Sequence, residues 1–194
     1  GVFEMREKGM IEVLNPSEAF LAERMAESAG SSIAVTMEGT RPILIELQAL
    51  VTPTNLGTSR RMTKGVDANR ISLLIAVLEK IVGLFLQAQD VFINVVGGVK
   101  IDEPAVDLGL ALAMASSLKN IPLPPQTIMF GEVGLAGEIR TVPYIEQRLR
   151  EAEKLGFTHC ILPLHARKHL SSSFSIQTIG AVSLADAIEA ALTL

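Results

Sequence analysis

The feature that most constrains the fold is the segment 105–118, an Ala- and Leu-rich run with the residue pattern of a helix. Its apolar residues fall on nearly every side of that helix, so no face is left for water. Such a helix is stable only when other elements cover it all round. We therefore expect it to be the central helix of one domain, and a chain of 194 residues with 48% hydrophobic residues can bury that core.

The rest of the pattern predicts a hairpin followed by alternating strands and helices. Two β-branched runs, 33–37 and 43–51, flank a turn rich in Gly and Pro. Asp67 or Asn69 is expected to cap a helix whose apolar residues recur at helical spacing. Further strands are predicted at 91–96, 128–133, 139–142, 160–162 and 176–179, and further helices at 145–155, closed by Gly156, and at 184–191, capped by Ser183. This order indicates an α+β fold, a mixed sheet packed with helices.

Composition and charge limit the possible classes of protein. The single cysteine, Cys160, excludes an internal disulfide framework and favours a reducing cytoplasm. The apolar tract 71–86 contains Glu79 and Lys80, which argues against a membrane span, and residues 1–10 lack the pattern of a secretion signal. We expect a soluble, cytoplasmic protein without a membrane partner. With 17 basic against 21 acidic residues, any contact with nucleic acid must be local.

Two segments carry the pattern of a catalytic site, namely DEPAVDL at 102–108 and GEVGLAGEIR at 131–140. They resemble the frame of a Lon-type serine peptidase, in which a serine attacks and a lysine on a following helix serves as base. Ala105 takes the serine position, and the lysine position falls close to Glu146 or Gln147. An alanine methyl cannot attack a carbonyl, so we predict no catalytic residues. The alternative is that the acids only mark the start of a helix, where the positive end of the helix dipole stabilises negative side chains.

A wider set of sequence segments resembles one bacterial protein family. The whole chain is similar to the C-terminal Lon-like domain of the RadA (Sms) family of DNA repair and recombination proteins, through GVFEM at 1–5, NPSEAFL at 15–21, MEGTRP at 37–42, QALVTPT at 48–54 and the segment 131–140. The resemblance implies a Lon proteolytic-domain-like fold, of the ribosomal-protein-like β-α-β superfold, over residues 31–194. Residues 1–30 would be a linker with a short strand and helix, leading from an ATPase domain absent from this chain.

The same resemblance implies where the cofactors belong. In that family a zinc-binding segment and a RecA-like ATPase precede this domain, so ATP with Mg²⁺ and zinc are expected only in the missing N-terminal domains. The full-length protein would then be a DNA-dependent ATPase. This chain has no G-x-x-x-x-G-K-[ST] segment to cradle phosphates. We therefore expect no cofactor and no enzymatic activity in these residues.

The best candidate for DNA contact is a basic loop at 58–70, which holds four basic residues and one acid. Guanidinium and ammonium groups suit phosphate oxygens, which carry most of the sequence-independent affinity for DNA. The predicted nucleic-acid-binding residues are Arg60, Arg61, Lys64 and Arg70 in this loop, with Arg41, Lys100 and Arg140 in turns or at strand ends elsewhere. The alternative is a solvated loop, with salt bridges that hold subunits together. The lack of interleaved aromatic residues argues against base stacking.

The sequence also contains a group of residues that could bind a metal. His165 and His169 stand four residues apart, with His159 and Cys160 upstream. The segment lacks an acidic ligand, and Cys160 lies in a strand that is expected to be buried. We favour a structural thiol with exposed histidines and predict no metal.

These observations lead to one function and two alternatives. A hexameric ring would repeat a weakly basic loop around one pore and so bind single- and double-stranded DNA without sequence preference. The expected role is a non-proteolytic scaffold of an ATP-dependent motor for branch migration of recombination intermediates, working with recombinase or replicative helicase machinery. The alternatives are a residual serine peptidase and an oligomerisation or docking module without DNA contact.

Overall fold

The computed structural model describes residues 3–6, 9–13, 15–25, 27–54, 57–171 and 173–194. The strands are β1 (Phe3–Arg6), β2 (Gly9–Glu12), β3 (Ser31–Glu38), β4 (Arg41–Pro53), β5 (Arg61–Lys64), β6 (Gln89–Val95), β7 (Thr127–Met129), β8 (Glu132–Val133), β9 (Ile139–Arg140), β10 (His159–Pro163) and β11 (Gln177–Ala181). The helices are α1 (Pro16–Leu21), α2 (Ala68–Val77), α3 (Asp107–Lys119), α4 (Ile145–Lys154), α5 (Leu164–Lys168) and α6 (Leu184–Thr193).

Seven strands form one mixed sheet in the order β11-β10-β7-β3-β4-β6-β5. The predicted hairpin is present, because β3 and β4 pair antiparallel from Ser31 opposite Gln48 to Glu38 opposite Arg41. β6 also runs antiparallel to β4, whereas the other neighbouring pairs in this sheet are parallel. The mixed sheet with its helices confirms the predicted α+β class.

The predicted central helix is α3, which is buried on every side from Asp107 to Ser116. It lies flat on the sheet, and Gly109 makes this approach possible. A Cβ atom on Gly109 would come within 2.9 Å of Leu47 Cδ1 and 3.3 Å of Ala34 Cβ. The helix ends at Asn120, which adopts a left-handed conformation with φ 53°.

Helices cover both faces of the sheet. α2, α3 and α6 pack with Ala34, Ile45 and Leu47 on one face, whereas α4 and α5 pack with Ile33, Val35 and further residues on the other. Because neighbouring residues of a strand point to opposite faces, β3 contributes to both clusters. The capped starts of α2 at Asp67 and of α6 at Ser183 are present as predicted.

Three predicted elements differ in the structure. The single strand expected at 128–133 is two strands, because the chain bends at Phe130 and Gly131 towards the start of α3 and β8 pairs with β9 in a separate sheet. The predicted basic loop contains an edge strand, β5, which pairs with β6. The helix after Asp67 ends in a π turn, Leu78–Val82, and this change of helical pitch leaves Ile81 47% exposed.

The N-terminal residues form the hairpin β1–β2 and the short helix α1. The hydroxyl of Ser17 in α1 accepts a hydrogen bond of 3.0 Å from the backbone amide of Leu44, which fixes α1 to the sheet. Residues 1, 2, 7, 8, 14 and 26 of the predicted linker 1–30 lie outside the described residues. Within the described part of the chain, no helix combines the length and apolarity that crossing a membrane requires.

Candidate functional site

Ala105 lies at the start of the central helix and is completely buried. It sits in the short 3₁₀ turn Pro104–Val106, and its carbonyl accepts a hydrogen bond of 2.9 Å from the amide of Gly131. The carbonyl of Gly131 in turn accepts from Leu108, at 3.1 Å. The two segments that resemble a peptidase frame therefore do meet. At their meeting point stands a methyl group packed in the core, not an exposed nucleophile.

Arg148 of α4 also reaches this segment, and it is fully buried. Its guanidinium forms an ion pair with Glu103 and donates further hydrogen bonds to the carbonyls of Val35 and Pro143, the latter at 3.0 Å. Glu103 also accepts from the hydroxyl of Thr36 and the amide of Met37, each at 2.9 Å. This network ties α4 to β3 and to the residues that precede Ala105.

Sequence reasoning placed the degenerate base position at Glu146 or Gln147 and missed Arg148. In the structure the carboxylate of Glu146 accepts hydrogen bonds from the amide and hydroxyl of Ser171, at 2.9 and 2.5 Å. The helical spacing did contain a signal, because Arg148 is the basic residue on the stripe that also carries Ile145, Leu149 and Ala152. A charged residue on an apolar stripe predicts a buried ion pair.

A cleft of about 320 Å³ between α2 and the β8–β9 hairpin brings together two predicted DNA contacts, Arg70 and Arg140. Asp107, which is buried, also lines this cleft. The carboxylate lies 3.0 Å from Arg70 Nη1 and accepts a hydrogen bond of 3.3 Å from the Val133 amide. Burial raises the pKa of Asp107 to about 6, although the charge of Arg70 and the Val133 amide oppose that shift. Arg140 is paired with Glu138 at 2.6 Å, and its hydrogen bonds lower the pKa of that carboxyl.

The predicted basic loop is largely a structured edge. Arg60 binds the buried carboxylate of Asp90 through its backbone amide, at 2.8 Å, and through its guanidinium, and these bonds lower the pKa of Asp90. Arg61 donates to the carbonyls of Gln89 and Leu86, the latter at 2.9 Å. Lys64 is exposed, and among the described residues no carboxylate pairs with it. The prediction of a loop was wrong for residues 61–64, which form β5, and the side chains of Arg60 and Arg61 have partners within the chain.

The predicted cations do not converge on one face. Arg41 lies at the turn between β3 and β4, whereas Arg60 binds Asp90, which pairs with Thr52 near the other end of β4. At about 3.3 Å per residue, these positions are about 35 Å apart along the strand. Lys100 is 77% exposed and lies 3.8 Å from Asp102. The structure therefore divides the set among the β3–β4 turn, the β5 edge, the Asp107 cleft and the loop before α3.

The candidate metal ligands differ in their exposure, since His165 and His169 are exposed and Cys160 is not. The rings of His165 and His169 lie 4.5 Å apart with a tilt of 55°, whereas Cys160 is buried, which raises the pKa of its thiol. Across the described ranges no three His, Cys, Asp or Glu side chains are grouped as metal ligands.

Comparison with known proteins assigns this architecture to a class. The family described as subunit ChlI of Mg-chelatase matches residues 68–166, and the chain belongs to that family. The match runs from the start of α2 into α5 and so includes the Ala105 segment, the Asp107 cleft and Arg148.

More closely, the chain is similar to the DNA repair protein RadA. It is 55% identical over 192 residues to RadA of Bacillus subtilis, and this match covers 99% of the chain and 42% of the relative. RadA of Streptococcus pneumoniae is 53% identical over 189 residues, covering 97% of the chain and 45% of the relative. These matches confirm the resemblance predicted from the sequence. The chain spans less than half the length of these relatives.

Proposed function

We propose that this chain is a non-proteolytic, Lon-like scaffold domain of a RadA-type DNA repair motor. Identity of 55% to a DNA repair protein across 99% of the chain is the observation that carries the proposal. The role in the motor is to support hexamer assembly and to bind DNA during branch migration of recombination intermediates. ATP hydrolysis belongs to residues of the longer protein outside this chain.

The absence of peptidase chemistry is supported by two properties of the site. Ala105 has no group that could attack a carbonyl, and it is buried in the core. Arg148, the buried cation of α4, is bound to Glu103, and a guanidinium stays charged and cannot serve as a neutral base. The Lon-like frame then serves as a support for other surfaces.

DNA binding is supported by the exposed cations, even where these have partners. Surface ion pairs contribute little free energy, so a phosphate can replace the carboxylate at small cost. Lys64 and Lys100 are the best candidates, because Lys64 is exposed on the edge strand and Lys100 is 77% exposed. In a closed ring each subunit would repeat them, so that weak contacts add up.

Titration of labelled single- and double-stranded oligonucleotides at several salt concentrations tests this function, with the assembly mass followed by light scattering. We expect affinity to fall linearly with salt on logarithmic axes, and Lys64→Glu/Lys100→Glu to weaken binding at least fivefold. Lys80→Glu/Lys119→Glu, which changes the net charge equally on other exposed residues, is the matched control. A hexamer that binds neither oligonucleotide at low salt would leave only an oligomerisation or docking module.

A further inference from the structure

The outer face of α4 carries a polar stripe that lines a cleft separate from the Asp107 cleft and from the β5 edge. Gln147, Arg150, Glu151 and Lys154 recur at helical spacing and so share one side of the helix. They face the β3–β4 turn with Arg41 and the start of α1 across a cleft of about 590 Å³. Elements distant in the sequence therefore form its walls.

The charge of this cleft is opposite to that of the chain. Arg41, Arg150 and Lys154 contribute three positive charges, and Glu151 contributes one negative charge. The side chains of Arg150 and Lys154 are 58% and 72% exposed, whereas that of Glu151 is only 17% exposed and lies 3.3 Å from Lys154. The local excess of positive charge is therefore presented to solvent, although the whole chain carries a net charge of −4.

One of these cations is held in a defined position. The guanidinium of Arg150 lies over the ring of Phe174, 5.8 Å from its centroid, and 3.8 Å from the carboxylate of Glu146. A guanidinium restrained in this way loses less side-chain entropy on binding an oxyanion than an unrestrained one does. The ring of Phe174 thus restrains the guanidinium without neutralising it, whereas the carboxylate of Glu146 offsets part of its charge.

We propose that this cleft binds the phosphodiester backbone of nucleic acid. This inference rests on the proposed function and names a second contact surface for it, separate from the β5 edge. Apart from Pro42, the described residues that line the cleft are polar or charged. The cleft thus offers cations and hydrogen-bond donors for phosphate, but no aromatic ring for a base. Binding here is independent of base sequence.

Fluorescence anisotropy with a labelled oligonucleotide, single-stranded and then as a duplex, tests the proposal between 50 and 200 mM salt. We expect Arg150→Glu/Lys154→Glu to weaken binding of both forms at least tenfold and to flatten the salt dependence by about two counterions. Arg167→Glu/Lys168→Glu, the matched control on α5, changes the same number of exposed charges and leaves affinity within about twofold. Because Arg150 also has structural contacts, Arg41→Gln/Lys154→Gln is a second variant, and circular dichroism checks that each variant folds.

The outcomes separate the two proposals. If the chain binds nucleic acid and both cleft variants bind as the wild-type chain does, the cleft proposal is wrong and the proposed function stands. Equal losses of affinity in the cleft and control variants would show a general charge effect, and that result also contradicts the cleft proposal. If the wild-type chain binds neither oligonucleotide at 50 mM salt, both proposals fail.

Discussion

Arg148 and Ala105 together define the chemistry of the peptidase-like frame at the scale of single residues. One is a cation with its hydrogen-bond donors committed to Glu103, Val35 and Pro143, and the other is a buried methyl group. Neither is placed to exchange protons with a substrate. Their contacts instead hold α4, β3 and the start of α3 together.

Restoring the hydroxyl is expected not to restore activity. In Ala105→Ser the new side chain is buried, and in Ala105→Ser/Arg148→Lys the added amine faces Glu103, which keeps it protonated. We expect neither variant to cleave fluorescent casein or to react with a fluorophosphonate probe. Labelling of either variant would show that the frame retains catalytic geometry.

The pair formed by Arg148 and Glu103 is expected to matter strongly for stability. Arg148→Met leaves the carboxylate of Glu103, whose side chain is 23% exposed, without its cation, at a cost of about 3–5 kcal/mol in the free energy of unfolding. Glu103→Gln/Arg148→Met recovers part of that loss, because no charge is left unpaired. Urea unfolding measures both, and equal stability of the single and double variants would contradict a coupled pair.

Asp107 is expected to make stability depend on pH. Burial raises its folded pKa from 3.8 to about 6, so the folded protein binds the proton more tightly than the unfolded chain does. The resulting stabilisation is present below about pH 4 and is lost as the pH rises through 6, by up to about 3 kcal/mol. The unfolding free energy of the wild type minus that of Asp107→Asn should therefore fall by up to about 3 kcal/mol from pH 4 to pH 7, because only the wild type carries this carboxyl. A constant difference would show that the carboxyl is not perturbed.

Edge strand β5 shows, at the scale of elements, what the sequence could and could not predict. Helix α4 was predicted from its apolar periodicity and α3 from its Ala- and Leu-rich run, and both features are local and can be read from a few turns. β5 pairs in parallel with β6, which lies more than twenty residues further along the chain, and no local pattern encodes such a partner. The same limit hid the partners of the predicted DNA contacts, since Arg60 binds Asp90 and Arg70 binds Asp107.

Arg61 is expected to stabilise β5 rather than bind phosphate. Arg61→Ala removes hydrogen bonds to the carbonyls of Leu86 and Gln89, which costs about 1–3 kcal/mol and accelerates amide exchange in β5. Lys64→Ala, on the exposed side of the same strand, is the control and changes stability by less than about 0.5 kcal/mol. Unchanged stability of Arg61→Ala with weaker DNA binding would reverse this assignment.

The whole molecule has two hydrophobic clusters separated by one sheet. β3 and β4 supply residues to both clusters, with Ala34 and Leu47 on one side and Val35 and Leu44 on the other. Loss of packing on one face therefore weakens strands that the other cluster also needs. The clusters should therefore be lost together.

Shortening one buried side chain on either side of the sheet tests this coupling between the two clusters. Leu112→Ala and Leu149→Ala, one in each cluster, should each cost about 2–5 kcal/mol and leave a single transition. Calorimetric and van't Hoff enthalpies should then agree for both variants. Two separate transitions in either one would mean that the clusters unfold independently.

The division of α4 into an inner and an outer face has a consequence for how the chain can change over time. The inner face, with Arg148 and Leu149, is fixed by the core, whereas the outer face, with Gln147, Arg150 and Lys154, lines the cleft, and its two cations are mostly exposed. Related chains can therefore exchange outer residues, and with them the ligand, at less cost to the fold than inner residues. A saturation-mutagenesis scan of this helix would show tolerance rising and falling every 3.6 residues.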